Sequence, residues 1–331
     1  MREVKKVLVI CDVEEEYAQL FTNYLKKQRE LPWEIHTYTS AEQLLLQEKE
    51  GCAVLAVAES TYCEEIESLN PGRLVVLNES GILRWENTLY VDKYQPAEEV
   101  LRFLLRIYAE IADSNWPRLS KNQNVVFWGL YSPVHRNLQT SFALTMARLL
   151  AEKHTTLYIN FEYCAGIGEL LPDMQTMDLA DLLYFLNSEK DKFKIRMQSI
   201  CRKIGSLDYV PPMKSGQNLL TIRPSEWLEL FRKIEELGEY EYIILDLSES
   251  VQGLHEILKM CKRIFTLRAD DRVARSKILQ FEQLLSMESC EDITEKTRNL
   301  TPPHIRRMPE GMEQLTRGEL AAWVNKILEE E

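Results

Sequence analysis

No uninterrupted apolar run in this 331-residue chain approaches the length needed to cross a bilayer. The N-terminal run Val7-Leu8-Val9-Ile10 is preceded by basic residues in the manner of a signal peptide. It is only four residues long and meets Asp12 and Glu14-Glu15-Glu16, so it reads as a buried strand. The expectation is a cytoplasmic protein without membrane insertion, reaching a membrane or a cell pole only through partners. Paired cysteines are also missing. The seven (11, 52, 63, 164, 201, 261 and 290) are dispersed without metal-ligand spacing, and the five histidines are isolated, which reads as reduced thiols and no zinc site. Positive charge is scarce as well. The formal net charge is −12; residues 1–112 hold 12 Lys/Arg against 20 Asp/Glu (−8), and the remainder 28 against 32 (−4). Such a balance argues against nucleic-acid binding, which needs phosphate-neutralising cations. The short basic stretches Arg268 to Lys277 and Arg306-Arg307 read as solvated faces.

What the chain does have is the composition of a folded α/β protein: 45% hydrophobic and 28% charged residues, over a length sufficient for two domains. Strands and helices alternate through residues 1–112. Lys6–Cys11, Trp33–Tyr38, Ala53–Ala58, Leu74–Leu77 and Leu89–Val91 are strand candidates. Helices are expected over Glu15–Gln28, after a Ser40 cap with Gln43 at the capping-box position, and over Pro96–Ile111. Asp113 to Asn124 is polar, contains Pro117 and lacks periodicity, so 113–123 is the candidate linker. The second domain, 124–331, opens with strand Asn124–Gly129, a loop, helix Thr140–Lys153 and strand Thr156–Glu162. Later come a helix from Ser225 ended by Gly238, strands Tyr242–Leu247 and Arg263–Leu267, and helices Ser276–Met287 and Gly318–Glu330. The fold class expected is α/β, with two doubly wound, mainly parallel sheets.

The loop Ser132–Ser141 lies where a strand–loop–helix unit would cradle phosphate, yet it has neither glycine nor lysine. Glycines let backbone N–H groups wrap a phosphate without Cβ clashes, and a lysine neutralises it. In the C-terminal helix Leu320, Trp323, Val324, Ile327 and Leu328 form an apolar stripe. The polar face carries Glu319 and Glu329–Glu331 against Lys326 alone, so the stripe should dock on the domain's own core, because anionic lipid would repel that face.

In the order of its elements the first domain resembles the flavodoxin-like receiver domains of response regulators. The resemblance implies a phosphate-handling pocket built here from Asp12, Glu59, Asn78 and Lys93. Only Lys93 and one acidic residue of the usual pair, Asp12, match; Glu59 and Asn78 stand where the acceptor aspartate and a Ser or Thr are expected. A pseudo-receiver that takes no phosphate is implied. The second domain resembles the deviant P-loop ATPases of the MinD/ParA kind, and the whole layout resembles the CpaE/TadZ-like proteins of Flp (Tad) pilus assembly. Against that family's loop, Gln139-Thr140-Ser141 falls on the final Lys-Thr-Thr, Leu138 and the pair His135-Arg136 on glycines, and Val134 on the signature lysine. The resemblance assigns Thr140 and Asp246 to magnesium, puts Gln139 and Ser141 on phosphate-loop positions where neutral Gln139 cannot replace the lysine, and sets Asn160 and Glu162 where two aspartates normally stand. Loss of such charge contacts costs on the order of 10² to 10⁵ in rate. Apart from the resemblance, His135 and Arg136 are cations that would draw a phosphate to the helix N-terminus, where dipole and charge add. The implied function is a non-catalytic, homodimeric localisation or scaffold protein with no cofactor, whose protein partners belong to pilus or secretion machinery. The alternatives are an ATP- and Mg²⁺-binding dimerisation switch with little hydrolysis, and a regulatory adaptor unrelated to pili.

Overall fold

Continuous apolar runs need both faces covered, and the parallel sheets of the computed structural model supply that environment. The structure describes residues 6–28, 31–48, 51–85, 88–111, 125–135, 138–167, 177–188 and 192–331. The expected linker, 113–123, lies outside the described residues. The chain divides into two compact units, Met1–Trp116 with Glu189–Ser199, and Pro117–Ser188 with Ile200–Glu331.

In the first unit β1 (Val7–Cys11), β2 (Glu34–Tyr38), β3 (Val54–Ala58), β4 (Arg73–Asn78) and β5 (Leu89–Asp92) form one parallel sheet in the order β2-β1-β3-β4-β5. This is the doubly wound flavodoxin-like order. Every residue of β1 and β3 is buried. Helix α1 (Glu15–Lys26) and α2 (Ala41–Gln47) follow the first two strands, and the Ser40 hydroxyl caps α2 by accepting the Gln43 N–H at 3.2 Å. The next two crossovers carry little helix. Only a 3₁₀ segment, Glu64–Leu69, follows β3, and none of residues 79–85 between β4 and β5 is helical. Helix α3 (Ala97–Ile111) completes the unit, with Val100, Leu104, Ile107 and Tyr108 in the core. Ile195, far along the chain, is buried in that same core. The expected second domain, 124–331, is thus interrupted by Glu189–Ser199. Within this unit Lys192 and Arg196 donate to the carbonyls of Glu110 and Arg106 near the end of α3, a helix without basic residues in its last turn.

The second unit has β6 (Val126–Leu130), β7 (Thr156–Asn160), the hairpin β8 (Arg202–Ile204) and β9 (Leu207–Val210), β10 (Tyr242–Asp246), β11 (Arg263–Leu267) and β12 (Thr297–Leu300). The order is β12-β11-β6-β10-β7-β9-β8, with only β8–β9 antiparallel. Helix α4 (Gln139–Leu150) follows β6. The C-terminal helix Gly318–Leu328 packs against it, with Phe142 and Trp323 rings 5.1 Å apart and Leu320, Val324 and Ile327 buried. That is the docking expected of its stripe. Helix Pro224–Leu237 ends at Gly238 in the left-handed region (φ 66°), which glycine adopts without strain.

Candidate functional site

In a doubly wound sheet ligands meet the carboxyl ends of the strands, and both units carry their conspicuous charged residues there. In the first unit Lys93, just past β5, is completely buried. Its Nζ donates to Asp12 Oδ1 at 3.1 Å and to Glu79 Oε1 at 2.7 Å, and lies 2.9 Å from Asp12 Oδ2 and 3.3 Å from Glu14 Oε2. Although burial pulls its pKa down, the hydrogen bonds to Glu79 and Asp12 raise it above the ordinary lysine value, so the ammonium stays charged. Burial pushes the equally enclosed Asp12 carboxyl up, and Lys93 holds that rise back. Glu59, at the end of β3, has both oxygens occupied. Oε2 accepts the backbone N–H groups of Glu79 and Ser80, both at 2.9 Å; Oε1 accepts the Ser80 hydroxyl at 2.7 Å and lies 3.0 Å from Arg84 Nε. These bonds, the Ser80 hydroxyl foremost, hold its pKa below the usual carboxylate range. Asn78 accepts the Gly81 N–H at 2.9 Å and so braces the same turn. Asp12 and Lys93 are therefore brought together, whereas Glu59 and Asn78 serve the loop after β4. Glu79 completes the lysine's shell; in the sequence it is one more acidic residue of an acidic domain, and only its place beside Asn78 at a strand end marks it.

In the second unit the register places Asp246, the last residue of β10, between Leu130 of β6 and Asn160 of β7. Tyr158 and Asn160, two apart on β7, face the same side. Asp246 is fully buried, and its carboxylate is enclosed by donors. Gln139 Nε2 gives Oδ1 a bond of 2.8 Å; Tyr158 Oη and Asn160 Nδ2 reach Oδ2 at 2.9 and 3.0 Å. Burial raises its pKa, and hydrogen bonds from Gln139, Thr140, Tyr158 and Asn160 oppose the rise. Gln139, the first residue of α4, is itself buried, and its amide also reaches the Leu247 carbonyl at 2.9 Å. It turns into the sheet, where a phosphate-binding cation would point out. Ser141 is half-buried in the first turn of α4. Arg136 lies outside the described residues.

One residue of the loop has a left-handed backbone. His135 has φ +56°, the left-handed conformation glycine adopts freely, at a cost of about 1–2 kcal/mol for an L-residue. Its surroundings are acidic. His135 Nδ1 lies 3.3 Å from Glu249 Oε2, and the half-buried Glu162 has its pKa pushed up to about 7, first by burial and then by Asp246 and Glu249. Three carboxyl groups thus interact around this end of the sheet, and the N-cap of α4 is Leu138, which offers no side-chain cap. The Thr140 side chain lies near enough to lower the Asp246 pKa, and these two are the pair that could hold a magnesium ion.

No family model and no curated protein matches the chain. Among solved structures it is similar to a ParA family ATPase from Chlorobium tepidum TLS, at 16% identity over 58% of this chain and 80% of that one, with a TM-score of 0.47. It is similar also to the MinC:MinD cell division protein complex of Aquifex aeolicus (14% identity, 55% of this chain and 70% of that one, TM-score 0.42) and to a plasmid partition protein from Borrelia burgdorferi (13%, 63% and 87%, 0.41). These are MinD- and ParA-type proteins, and the likeness is one of fold; the α/β class with two doubly wound, mainly parallel sheets rests on the strand order and register of the chain itself.

Proposed function

We propose that this protein is a non-catalytic localisation or scaffold factor that acts through protein–protein contacts. The observation that supports it best is the Asp246 carboxylate, fully buried and hydrogen-bonded to Gln139, Tyr158 and Asn160. In the mechanism of P-loop enzymes that position helps hold magnesium, and a loop lysine neutralises the β- and γ-phosphates. Here the side chain at the lysine position is a neutral amide spent on the aspartate, and the neighbouring groups are Glu162 and Glu249. The first unit reads as a pseudo-receiver on similar grounds: Lys93 is occupied by Asp12 and Glu79, and Glu59 is tied to the turn at Ser80. Together the two units would present protein-binding faces, as a homodimer within pilus or secretion machinery of the kind the CpaE/TadZ-like layout implies.

Isothermal calorimetry with ATP and magnesium tests this reading. No heat is expected at millimolar nucleotide. Submillimolar binding that Thr140→Ala or Asp246→Ala removes would overturn it in favour of an ATP-dependent dimerisation switch, a reading favoured by the Thr140 hydroxyl lowering the Asp246 pKa from close by. Sedimentation of the full chain with and without ATP distinguishes the two further, since a scaffold dimer is indifferent to nucleotide. For the first unit, beryllofluoride should leave the amide spectrum unchanged. Pilus-secretion genes found beside this one would support the pilus assignment; an unrelated neighbourhood would turn it toward a regulatory adaptor.

A further inference from the structure

We infer that His255, Glu288 and Cys290 form a binding site for a thiophilic divalent metal ion of the zinc class. Among the described residues these three bring one ligand atom each within 4.8 Å of one another. His255 and Glu288 stand 33 residues apart in sequence, with His255 Nδ1 2.6 Å from Glu288 Oε2. His255 is the second residue of the short helix Leu254–Met260. Glu288 is the C-cap of helix Arg272–Met287, and Cys290 is the N-cap of helix Glu291–Lys296. A metal there would clip three helices together.

The turn that carries two of the ligands has an unusual build. Cys290 N–H donates to the Leu285 carbonyl at 2.8 Å and Ser289 N–H to that of Ser286 at 3.2 Å, the pair of bonds of a Schellman cap. The left-handed position of that cap normally takes glycine; here it is Ser289 at φ +55°. The reversal holds the Glu288 side chain and the Cys290 thiol near the same imidazole. Cys290 is 4% exposed, whereas the side chains of His255 and Glu288 are 25% and 55% exposed, so an ion would enter from the glutamate side and reach a sheltered sulfur.

The donor set selects the metal. Nitrogen, oxygen and sulfur at about 2.0–2.3 Å suit zinc, and a thiolate disfavours magnesium and calcium, which take oxygen. Three protein ligands leave the fourth tetrahedral position to water or another ligand. Drawing the three atoms onto one ion requires movements of about an ångström, with the His255–Glu288 bond opening and the sulfur closing in. The Cys290 thiol donates to the Glu288 carbonyl at 3.4 Å, and the neighbouring Lys259 is an exposed residue that can withdraw when an ion arrives.

The test uses the full chain stripped with chelator. Zinc is titrated calorimetrically, and cobalt is added as a spectroscopic probe. One zinc per chain is expected, with a sulfur-to-cobalt charge-transfer band. His255→Gln and Cys290→Ser should each weaken zinc roughly tenfold or more, and Cys290→Ser should remove the band. Cys164→Ser, at an exposed cysteine, should leave both unchanged. His255→Gln is a surface change that the fold tolerates, and circular dichroism verifies each variant. Absence of zinc binding, absence of the cobalt–sulfur band, or affinity unaltered in His255→Gln would overturn the assignment and leave His255–Glu288 a surface ion pair.

Discussion

Replacing Glu162 with glutamine should stabilise the second unit, but only at neutral and alkaline pH. The Glu162 carboxyl titrates at about 7 in the folded chain, against about 4.3 for a glutamate in an unfolded one. Between those values the folded state binds more protons than the unfolded state, so stability falls as pH rises through the window and levels off above it. At 1.36 kcal/mol per pKa unit the full shift sets a ceiling of about 3.7 kcal/mol, and solvent screening of a half-buried side chain lowers the expected value to about 2 kcal/mol. Glutamine keeps the shape without the charge. The Glu162→Gln gain should therefore be near zero at about pH 4 and about 2 kcal/mol at about pH 8. Urea unfolding with pulsed hydrogen exchange, read at the amides of β10, reports the second unit separately from the first. A gain equal at both pH values, or none at the higher, would refute the reasoning; it would mean that Glu162 is not crowded by burial, Asp246 and Glu249.

Three other perturbations test the two sites and the capped turn. Lys93→Met leaves Asp12 and Glu79 without their cation and should cost the first unit about 3–5 kcal/mol in the same urea measurement, because a buried charge loses its partner. Gln139→Ala withdraws one donor from the buried Asp246 and should cost about 1–3 kcal/mol, appearing as a lower unfolding midpoint with unchanged slope. Ser289→Gly relieves a left-handed serine and should add about 0.5–1 kcal/mol, net of the greater freedom glycine gives the unfolded chain, seen as a rise in Tm.

How far the sequence reaches depends on whether a feature is local. Strand Arg263–Leu267, the Ser40 cap and the Gly238 terminus follow from neighbouring residues, and the structure has each of them. The sparse helix after β3 and β4 is less readable, since residues 59–72 and 79–88 give no periodic stripe to interpret. Glu189–Ser199 is harder still: Ile195 looks like any core residue of its surroundings, and nothing nearby in the chain says that it joins the first unit's core. The site divides along the same line. Asp246 and Gln139 stand at a strand end and a helix start, positions that sequence alone can find. The inward turn of the Gln139 amide, and the pairing of Lys93 with Glu79, depend on atoms 107 and 14 residues away. His255 and Cys290 meet across elements, so their spacing carries no metal pattern.

The two carboxyl-edge sites share one physical logic. A buried ion needs partners, and a doubly wound sheet concentrates charge where its parallel strands end. In a phosphate-handling protein the partner arrives with the ligand, as magnesium or as phosphate oxygens. Here it is internal in both units: Glu79 and Asp12 satisfy Lys93, while Gln139, Tyr158 and Asn160 satisfy Asp246. A ligand would first have to separate these groups, and each buried charge so exposed costs several kcal/mol before any new contact forms. Binding that overcame such a cost would need strong compensating contacts, and the loop beside Asp246 has neither lysine nor glycine to make them. Charges satisfied internally at both strand edges are what the proposed scaffold reading expects, and on that reading the next question is which faces of the two units a partner would recognise.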